Sequence, residues 1–417
     1  MKTCPSCHRL YADDGGFCPV DGKALAPTSQ TALPVDREDR RVGATLCGGR
    51  YQIWRRVADG GMGRVYQALD LTVGRSVALK ILHADVAQDQ VAVERFKREF
   101  ECSAALPHDH IVEVLAFEKT EDQSYALVME YLEGEELRTL LKREKVIPPE
   151  RLIRMLAQSA IGLQAAHDRK IVHRDLKPDN IFLCGSKEGD NTKLLDFGSV
   201  RDNSAGAKKL TVLGTTIGSP FYMSPEQAQA LPELDHRADV WSMGAIAYEC
   251  LTGSLPFRGS TGPAILLAIL SQEPAPASEV GEAHSVPVTL DPVIEDALAK
   301  SAAIRVPTMG ALVDRIGQAY GLSGAHADWA RTSQEELAAR IRAGLPDALA
   351  RHVARKPALD LKGMDDAFKA GSEGGPAGGA FNDDMIMGVP SGPPRWIYAL
   401  VVGALILGAV VALLVLR

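Results

Sequence analysis

An α+β domain of two unequal lobes, strands first and helices second, is the fold class predicted for this 417-residue chain. Three observations predict it. Short apolar runs with strand-like alternation crowd residues 49–130, apolar residues at spacings of three or four take over from residue 150, and the two patterns follow each other in one contiguous stretch.

The elements follow in order. Gly49-Arg50-Tyr51-Gln52-Ile53 reads as a strand that leads to a glycine cluster, and Arg64-Val65-Tyr66-Gln67-Ala68 resumes the alternation. Ser76-Val77-Ala78-Leu79-Lys80-Ile81-Leu82 is a third strand-like run. Residues 91–105 switch to a helical period, with Val91, Phe96 and Phe100 on or near one face. Tyr125-Ala126-Leu127-Val128-Met129-Glu130 returns to strand. Beyond Pro148-Pro149, the residues Leu152, Met155, Leu156, Ala160 and Leu163 mark the apolar face of a long helix.

Composition bounds what surrounds this domain. The chain is 46% apolar and 24% charged with a formal net charge of −7, a balance that argues against a nucleic-acid binder. Nucleotides stay open, because a phosphate site needs only a few backbone N–H groups and one or two local cations. Seven cysteines, three of them clustered at Cys4, Cys7 and Cys18, fit a reducing compartment better than a secreted disulfide scaffold. No apolar h-region occurs in the first 30 residues, so no secretory signal is expected. Residues 24–45, with Pro27, Pro34 and the charged run from Asp36 to Arg41, read as a flexible linker.

Two local features of the strand region admit rival readings. Gly60-Gly61-Met62-Gly63 lies between two strands, where glycines let backbone N–H groups approach phosphate; taken alone, a plain glycine-rich hairpin is the commoner reading. A strand follows the glycines, which argues against a dinucleotide-binding fingerprint, where a helix would follow. Lys80 sits seventeen residues after Gly63 inside an apolar run. Either its ammonium is paired within the protein or the strand is an edge with Lys80 facing solvent.

The second half supplies an ordered set of motifs. Ile171-Val172-His173-Arg174-Asp175-Leu176-Lys177-Pro178-Asp179-Asn180 precedes Lys193-Leu194-Leu195-Asp196-Phe197-Gly198, and Gly218-Ser219-Pro220-Phe221-Tyr222-Met223-Ser224-Pro225-Glu226 comes after. The set resembles the catalytic signatures of eukaryotic-type (Hanks-type) protein kinases, particularly their bacterial serine/threonine members. The resemblance covers roughly residues 51–316 and implies a two-lobed protein kinase fold, with a kinase domain over residues 46–320.

Residue by residue, the resemblance implies a complete site. Gly60 and Gly63 match the second and third glycines of the phosphate-covering loop, and Ala58 stands where the first would be. Val65 and Ala78 would pack on adenine, Met129 would guard the back of its pocket, and Glu130 and Leu132 would offer hinge backbone groups. Lys80 matches the lysine that contacts the α- and β-phosphates, with Glu99 as its helix partner. Asp175 matches the residue that accepts the hydroxyl proton, and Lys177 would neutralise charge on the transferred group. Asn180 and Asp196 would hold Mg²⁺, or Mn²⁺, as hard oxygen ligands. Glu226 with Arg305, and Asp239 beneath the catalytic loop, match structural braces, while His173 reads as a packed core histidine. Arg174 before Asp175 implies control by phosphorylation, with Thr215 and Thr216 the favoured acceptors. The implied partners are ATP and proteins bearing serine or threonine acceptors, with room for a homodimer that phosphorylates itself in trans. The alternative is a pseudokinase, a scaffold or binding module without turnover; every essential residue stands against it.

Both ends carry further expectations. Residues 1–23 resemble a small zinc ribbon, in which Cys4, Cys7 and Cys18 would hold Zn²⁺. Asp21 stands where a fourth cysteine would be, and Asp21 or His8 would complete the shell; a redox-active or unmetallated tail is the rival reading. Residues 321–370 read as a partly helical juxtamembrane region, with Leu337, Ile341 and Leu345 in helical register after Thr332-Ser333-Gln334-Glu335-Glu336. Residues 371–395 form a Gly/Pro-rich tether. Residues 396–416 carry no charge over 21 residues, long enough as a helix to span roughly 30 Å and cross a membrane once. Trp396 and Tyr398 would sit at the interface, and the need for intracellular ATP would keep the catalytic domain on the cytoplasmic side of the inner membrane. Only Arg417 would remain beyond the bilayer, so no external sensor is expected.

Overall fold

A six-stranded antiparallel sheet in the order β4-β5-β6-β7-β9-β8 builds the first lobe, as seen in a computed structural model of the chain. The structure describes residues 2–3, 10–11, 16–17, 22–24, 26–27, 39–197, 220–281 and 286–355. The strands of this sheet are β4 (Thr45–Leu46), β5 (Tyr51–Asp59), β6 (Gly63–Asp70), β7 (Arg75–Leu82), β8 (Val114–Lys119) and β9 (Tyr125–Glu130). Ahead of them, β1 (Lys2–Thr3), β2 (Leu10–Tyr11) and β3 (Ala26–Pro27) pair as a separate small sheet in the order β2-β1-β3.

Burial explains the strand sequences. Along β7, Val77, Leu79 and Ile81 are fully buried on one face with Tyr51, Ile53, Tyr66 and Val128. The opposite face carries Ala78, Lys80 and Leu82, and helix α1 (Gln90–Ala104) packs over it through Phe96. Lys80 is therefore no edge residue: β7 lies between β6 and β9. Asp89 caps α1 by accepting the Val91 N–H at 2.9 Å. The buried face of α1 is Ala92, Phe96, Glu99 and Ser103. Val91, expected on or near that face, is 49% exposed because its neighbour Ala92 takes the buried place in the first turn, in line with Phe96, Glu99 and Ser103.

The second lobe is mainly helical: α2 (Leu137–Glu144), α3 (Pro149–Asp168), α4 (Pro225–Ala228), α5 (Arg237–Thr252), α6 (Gly262–Ser271), α7 (Ala277–Val280), α8 (Asp291–Ala297) and α9 (Met309–Ala319). Pro149 at the first position of α3 fits the helix start, where no intrahelical donor is needed. Helix α5 is buried on nearly every side, which makes it the spine of this lobe. A short sheet of β10 (Gly134–Glu136), β11 (Ile181–Ser186) and β12 (Gly189–Leu194) lies beside α3.

Both borders of the domain differ from the sequence expectation. Asp39 in the presumed linker is 3% exposed and accepts the Tyr66 hydroxyl at 2.7 Å. Val42 is buried, Arg41 pairs with Asp122 at 2.6 Å, and Thr45–Leu46 adds β4 to the sheet. Residues 39–45 thus belong to the first lobe, because that sheet edge needs them to cover Tyr51 and Tyr66.

At the other end, α10 (His326–Trp329) and α11 (Gln334–Arg355) pack on α3. Trp329 and Leu337 are fully buried and Ile341 is 6% exposed. The buried side chains of Arg154 and Gln158 on α3 find acceptors there: Arg154 donates to the Thr332 carbonyl, and Gln158 donates to the Ala330 carbonyl at 3.1 Å. Residues 321–355 are hence a structural part of the second lobe, since without them two buried polar groups would lack partners.

Among the described residues no helix is long and apolar enough to cross a membrane, and no cluster of three histidine, cysteine or acidic side chains could hold a metal. The run 396–416, the metal candidates Cys4, Cys7, His8, Cys18 and Asp21, and the acceptors Thr215 and Thr216 lie outside the described residues.

Candidate active site

Strand register brings the first set of predicted residues together. Ala58 on β5 pairs with Val65 on β6, and Val65 pairs with Lys80 on β7. Two residues back along β7, Ala78 pairs with Met129 on β9. Cross-strand partners and residues two apart share a sheet face, so Ala58, Val65, Lys80, Ala78 and Met129 all project from one side. Ala58 follows a register irregularity of β5 between Arg56 and Ala58, and the turn proper is tied by the Gly60 N–H donating to the Gly63 carbonyl at 3.0 Å. Glycine is required at Gly63, where a Cβ would run into the Ile81 carbonyl of β7. Among the described residues the N–H groups of Gly61 and Met62 make no hydrogen bond, which leaves two donors at the hairpin tip.

Behind the hairpin, Lys80 Nζ donates to Glu99 Oε1 on α1 and to Asp196 Oδ1, both at 2.9 Å. The Lys80 and Glu99 side chains are 18% and 10% exposed, so the lysine's charge is paired and not solvated. Burial pushes the Glu99 carboxyl up to about 7, against the pull of Lys80 and with the help of the neighbouring Asp196 charge. Burial also pushes Asp196 up, but Lys80 together with hydrogen bonds from Glu99 and Lys80 outweighs it and holds Asp196 at about 2. Two carboxylates share one ammonium, and the more accessible Asp196 keeps its charge.

The catalytic loop is braced from below. Asp239 on α5 is fully buried and accepts the backbone N–H groups of His173 and Arg174, each at 2.9 Å, as well as the His167 imidazole at 2.7 Å. Burial pushes the Asp239 carboxyl up, yet His167 and these N–H groups hold it below its ordinary value. Fixed this way, Arg174 takes a φ of 66°, a left-handed conformation that a non-glycine residue adopts only when its surroundings impose it. Buried His173 packs on the Phe197 ring and bonds the Leu195 carbonyl at 2.8 Å, as its reading as a core histidine requires.

Next to this brace, Lys177 Nζ lies 2.7 Å from Asp175 Oδ2, and Asn180 Nδ2 donates to the Asp175 carbonyl at 2.7 Å. The Leu195 N–H donates to the Asn180 carbonyl at 2.9 Å. Leu195 is therefore tied to the loop by both His173 and Asn180, which fixes Asp196 beside it at a φ of 57°. With Asn180 Nδ2 engaged, its amide oxygen is the atom left to act as ligand. Asn180 oxygen and the ionised Asp196 carboxylate are hard donors, a set that fits Mg²⁺ or Mn²⁺.

Farther out, the Arg305 guanidinium, itself fully buried, grips Glu226 with two bonds of 2.7 and 3.0 Å. At the hinge, Glu130 spends its N–H on the Glu113 carbonyl at 2.9 Å and its carboxylate on Lys193 at 2.6 Å. The Leu132 N–H makes no hydrogen bond among the described residues.

The protein kinase domain family matches residues 51–312. This chain belongs to the protein kinase family. Serine/threonine-protein kinase pkn2 of Myxococcus xanthus is 37% identical over 273 residues, which are 65% of this chain and 32% of that protein. Pkn1 of the same organism is 36% identical over 315 residues, 74% of this chain and 44% of that one. PknB of Mycobacterium tuberculosis is 36% identical over 262 residues, 62% and 41% of the two chains. The match thus spans less than half the length of each of these three relatives. A crystal structure of the M. tuberculosis PknI kinase domain superposes with a TM-score of 0.53 at 25% identity, covering 67% of this chain and 98% of that one.

The kinase domain also uses residues that the motif reading passed over. Arg138 on α2 joins Asp179 at 3.3 Å, Glu249 on α5 at 2.9 Å and the Tyr222 hydroxyl, linking the loop that carries Asp175 to α5 and to the motif that ends at Glu226. His83, the residue after β7, bonds the Gly60 carbonyl at 2.8 Å. Its one signal in the sequence is a histidine placed directly behind an apolar strand, which distance along the chain does not connect to Gly60.

Proposed function

We propose that this chain is an ATP-dependent serine/threonine protein kinase that phosphorylates cytoplasmic proteins and itself. The observation that carries the reading is the joint assembly of the Lys80–Glu99–Asp196 cluster and the Asp175–Lys177–Asn180 loop. Each part has work to do in phosphoryl transfer. Lys80 orients the α- and β-phosphates, and the hairpin N–H groups of Gly61 and Met62 face the phosphate chain. Asp175 accepts the proton of the attacking serine or threonine hydroxyl, and Lys177 offsets the charge that builds on the transferred group. Asn180 and Asp196 would hold a divalent ion, which would supply neutralisation of phosphate charge. A scaffold without turnover would not need all of these groups in place.

Three extensions complete the reading. Phosphorylation of Thr215 or Thr216 raises activity by setting a dianion against the Arg174 guanidinium, within one chain or between two copies. Residues 396–416 form a transmembrane helix that holds the domain at the cytoplasmic face of the inner membrane; its uniformly apolar 21 residues support this. The first residues bind one Zn²⁺ through Cys4, Cys7 and Cys18, with Asp21, or else His8, as fourth ligand.

The test is transfer of labelled phosphate from ATP by the purified full chain with Mg²⁺, to itself and to a generic protein acceptor. Absence of transfer by a folded sample that binds ATP would defeat the kinase reading in favour of a scaffold. Mass spectrometry of the most active fraction locates the phosphate, and unmodified Thr215 and Thr216 there would remove them. Release of the full chain from membranes by salt alone would remove the anchor. Elemental analysis without zinc in a protein whose first residues resist protease would remove the metal.

A further inference from the structure

We propose that His83 is a positioning residue for the nucleotide, clasping the glycine-rich hairpin through the Gly60 carbonyl so that its tip stays over the phosphates. The inference rests on the kinase reading and names a residue outside the family motifs quoted above. Packing does not hold the tip. Gly60 and Gly61 are exposed, Met62 is 43% exposed, and a Cβ built on Gly61 would meet nothing within 4 Å. A glycine-rich segment without such packing has much backbone freedom to lose when it orders over a ligand.

What restrains residues 60–62, among the described residues, is a short set of hydrogen bonds. The Gly60 N–H donates to the Gly63 carbonyl at 3.0 Å, and the His83 backbone N–H donates to the Met62 carbonyl at 3.1 Å. The third is the His83 ring, with Nε2 at 2.8 Å from the Gly60 carbonyl. A carbonyl only accepts, so Nε2 carries the proton in this contact. Gly60 is thereby held at both its N–H and its carbonyl, and the free donors of Gly61 and Met62 are left at the tip.

The imidazole is itself supported. Asp59 Oδ1 lies 3.4 Å from His83 Nε2, while Asp59 Oδ2 takes Arg64 Nε at 2.8 Å and lies 3.6 Å from Arg56. Arg64 continues to Asp39 at 3.5 Å. His83 thus stands at the hairpin's base with an acidic neighbour on its donor side and 26% of its side chain exposed. Its role is to lower the ordering cost of nucleotide binding, and it takes no part in the transfer itself.

The experiment uses the full chain with MgATP and a generic protein acceptor. His83→Ala removes the ring contact and leaves the backbone bond to Met62. One lost hydrogen bond corresponds to about a three- to tenfold rise in KM for MgATP, with kcat changed less than about twofold. His83→Gln, whose side chain ends in an N–H donor, restores most of the affinity. An unchanged KM in a folded His83→Ala protein would overturn the proposal, as would a fall in kcat equal to the rise in KM. Failure of His83→Gln to recover affinity at normal thermal stability would overturn it as well. Equilibrium titration with MgATP separates the two readings: a wild-type chain that binds MgATP without transferring phosphate defeats the kinase reading, while the affinity ratio of the variants still tests His83.

Discussion

Lys80 Nζ stands 2.9 Å from Glu99 Oε1, and this pair ties the central strand of the first lobe to the helix packed over it. The same ammonium reaches Asp196 at 2.9 Å, so one cation gathers a strand, a helix and the residues that follow β12. Protein kinases require this arrangement for transfer. Lys80→Met should lower kcat/KM by about 10²–10³-fold, the scale seen when one electrostatic group of a reacting site is removed. Glu99→Gln should lower it less, because Asp196 still holds the lysine. Steady-state kinetics of both variants checks the order, and a larger loss from Glu99→Gln would contradict it.

Asp175→Asn should cut turnover by about 10²–10⁴-fold, the usual contribution of a positioned base. Its side chain is 45% exposed and the amide keeps its shape, so the melting temperature should hardly move. Near-normal kcat in the purified variant would remove Asp175 from the role of proton acceptor.

Glu226→Gln addresses stability. The substitution keeps one side-chain oxygen beside the Arg237 and Ala299 carbonyls as acceptors, but it removes the counter-charge of the fully buried Arg305 guanidinium and sets an amide NH₂ against it. Breaking a buried pair on one side costs about 3–5 kcal/mol. Urea unfolding of the variant checks this, and a loss below about 1 kcal/mol would show that the pair contributes little.

The candidate site residues that the structure brings together, among them Lys80, Asp196, Asp175 and Asn180, were readable in the sequence because they belong to short motifs of fixed residue type and order. Strands and the long helix α3 were readable because their apolar spacing matches one face of a regular element. The borders were not. Asp39 and Arg41 occur in a charged run that looks like a solvated linker, and only Tyr66, Arg64 and Asp122, distant in sequence, show why they are held. Leu337 and Ile341 gave helix α11, yet nothing local states that α3 offers Arg154 and Gln158 to the segment just before it. The contact between His83 and Gly60 escaped for the same reason: a side chain bonding a backbone carbonyl leaves no identity constraint on the residue it touches.

Removal of residues 321–417 should therefore destabilise the catalytic domain, while removal of residues 356–417 should not. The longer deletion takes away the Thr332 carbonyl from Arg154, whose Nε keeps the Asp190 carbonyl, and the Ala330 carbonyl from the Gln158 amide, each unsatisfied group costing about 1–3 kcal/mol, and uncovers the site where Trp329 is buried. None of the described contacts is lost in the shorter one. Urea midpoints of the two truncated proteins check this, and equal midpoints would show that α10 and α11 are passive passengers.

Asp39 gives the hairpin a footing. Its carboxylate accepts the Tyr66 hydroxyl and lies 3.5 Å from Arg64, both on β6, the strand that begins at Gly63. Arg64 is also held by Asp59 on β5, so this one acidic side chain steadies the two strands that flank the glycine hairpin from beneath.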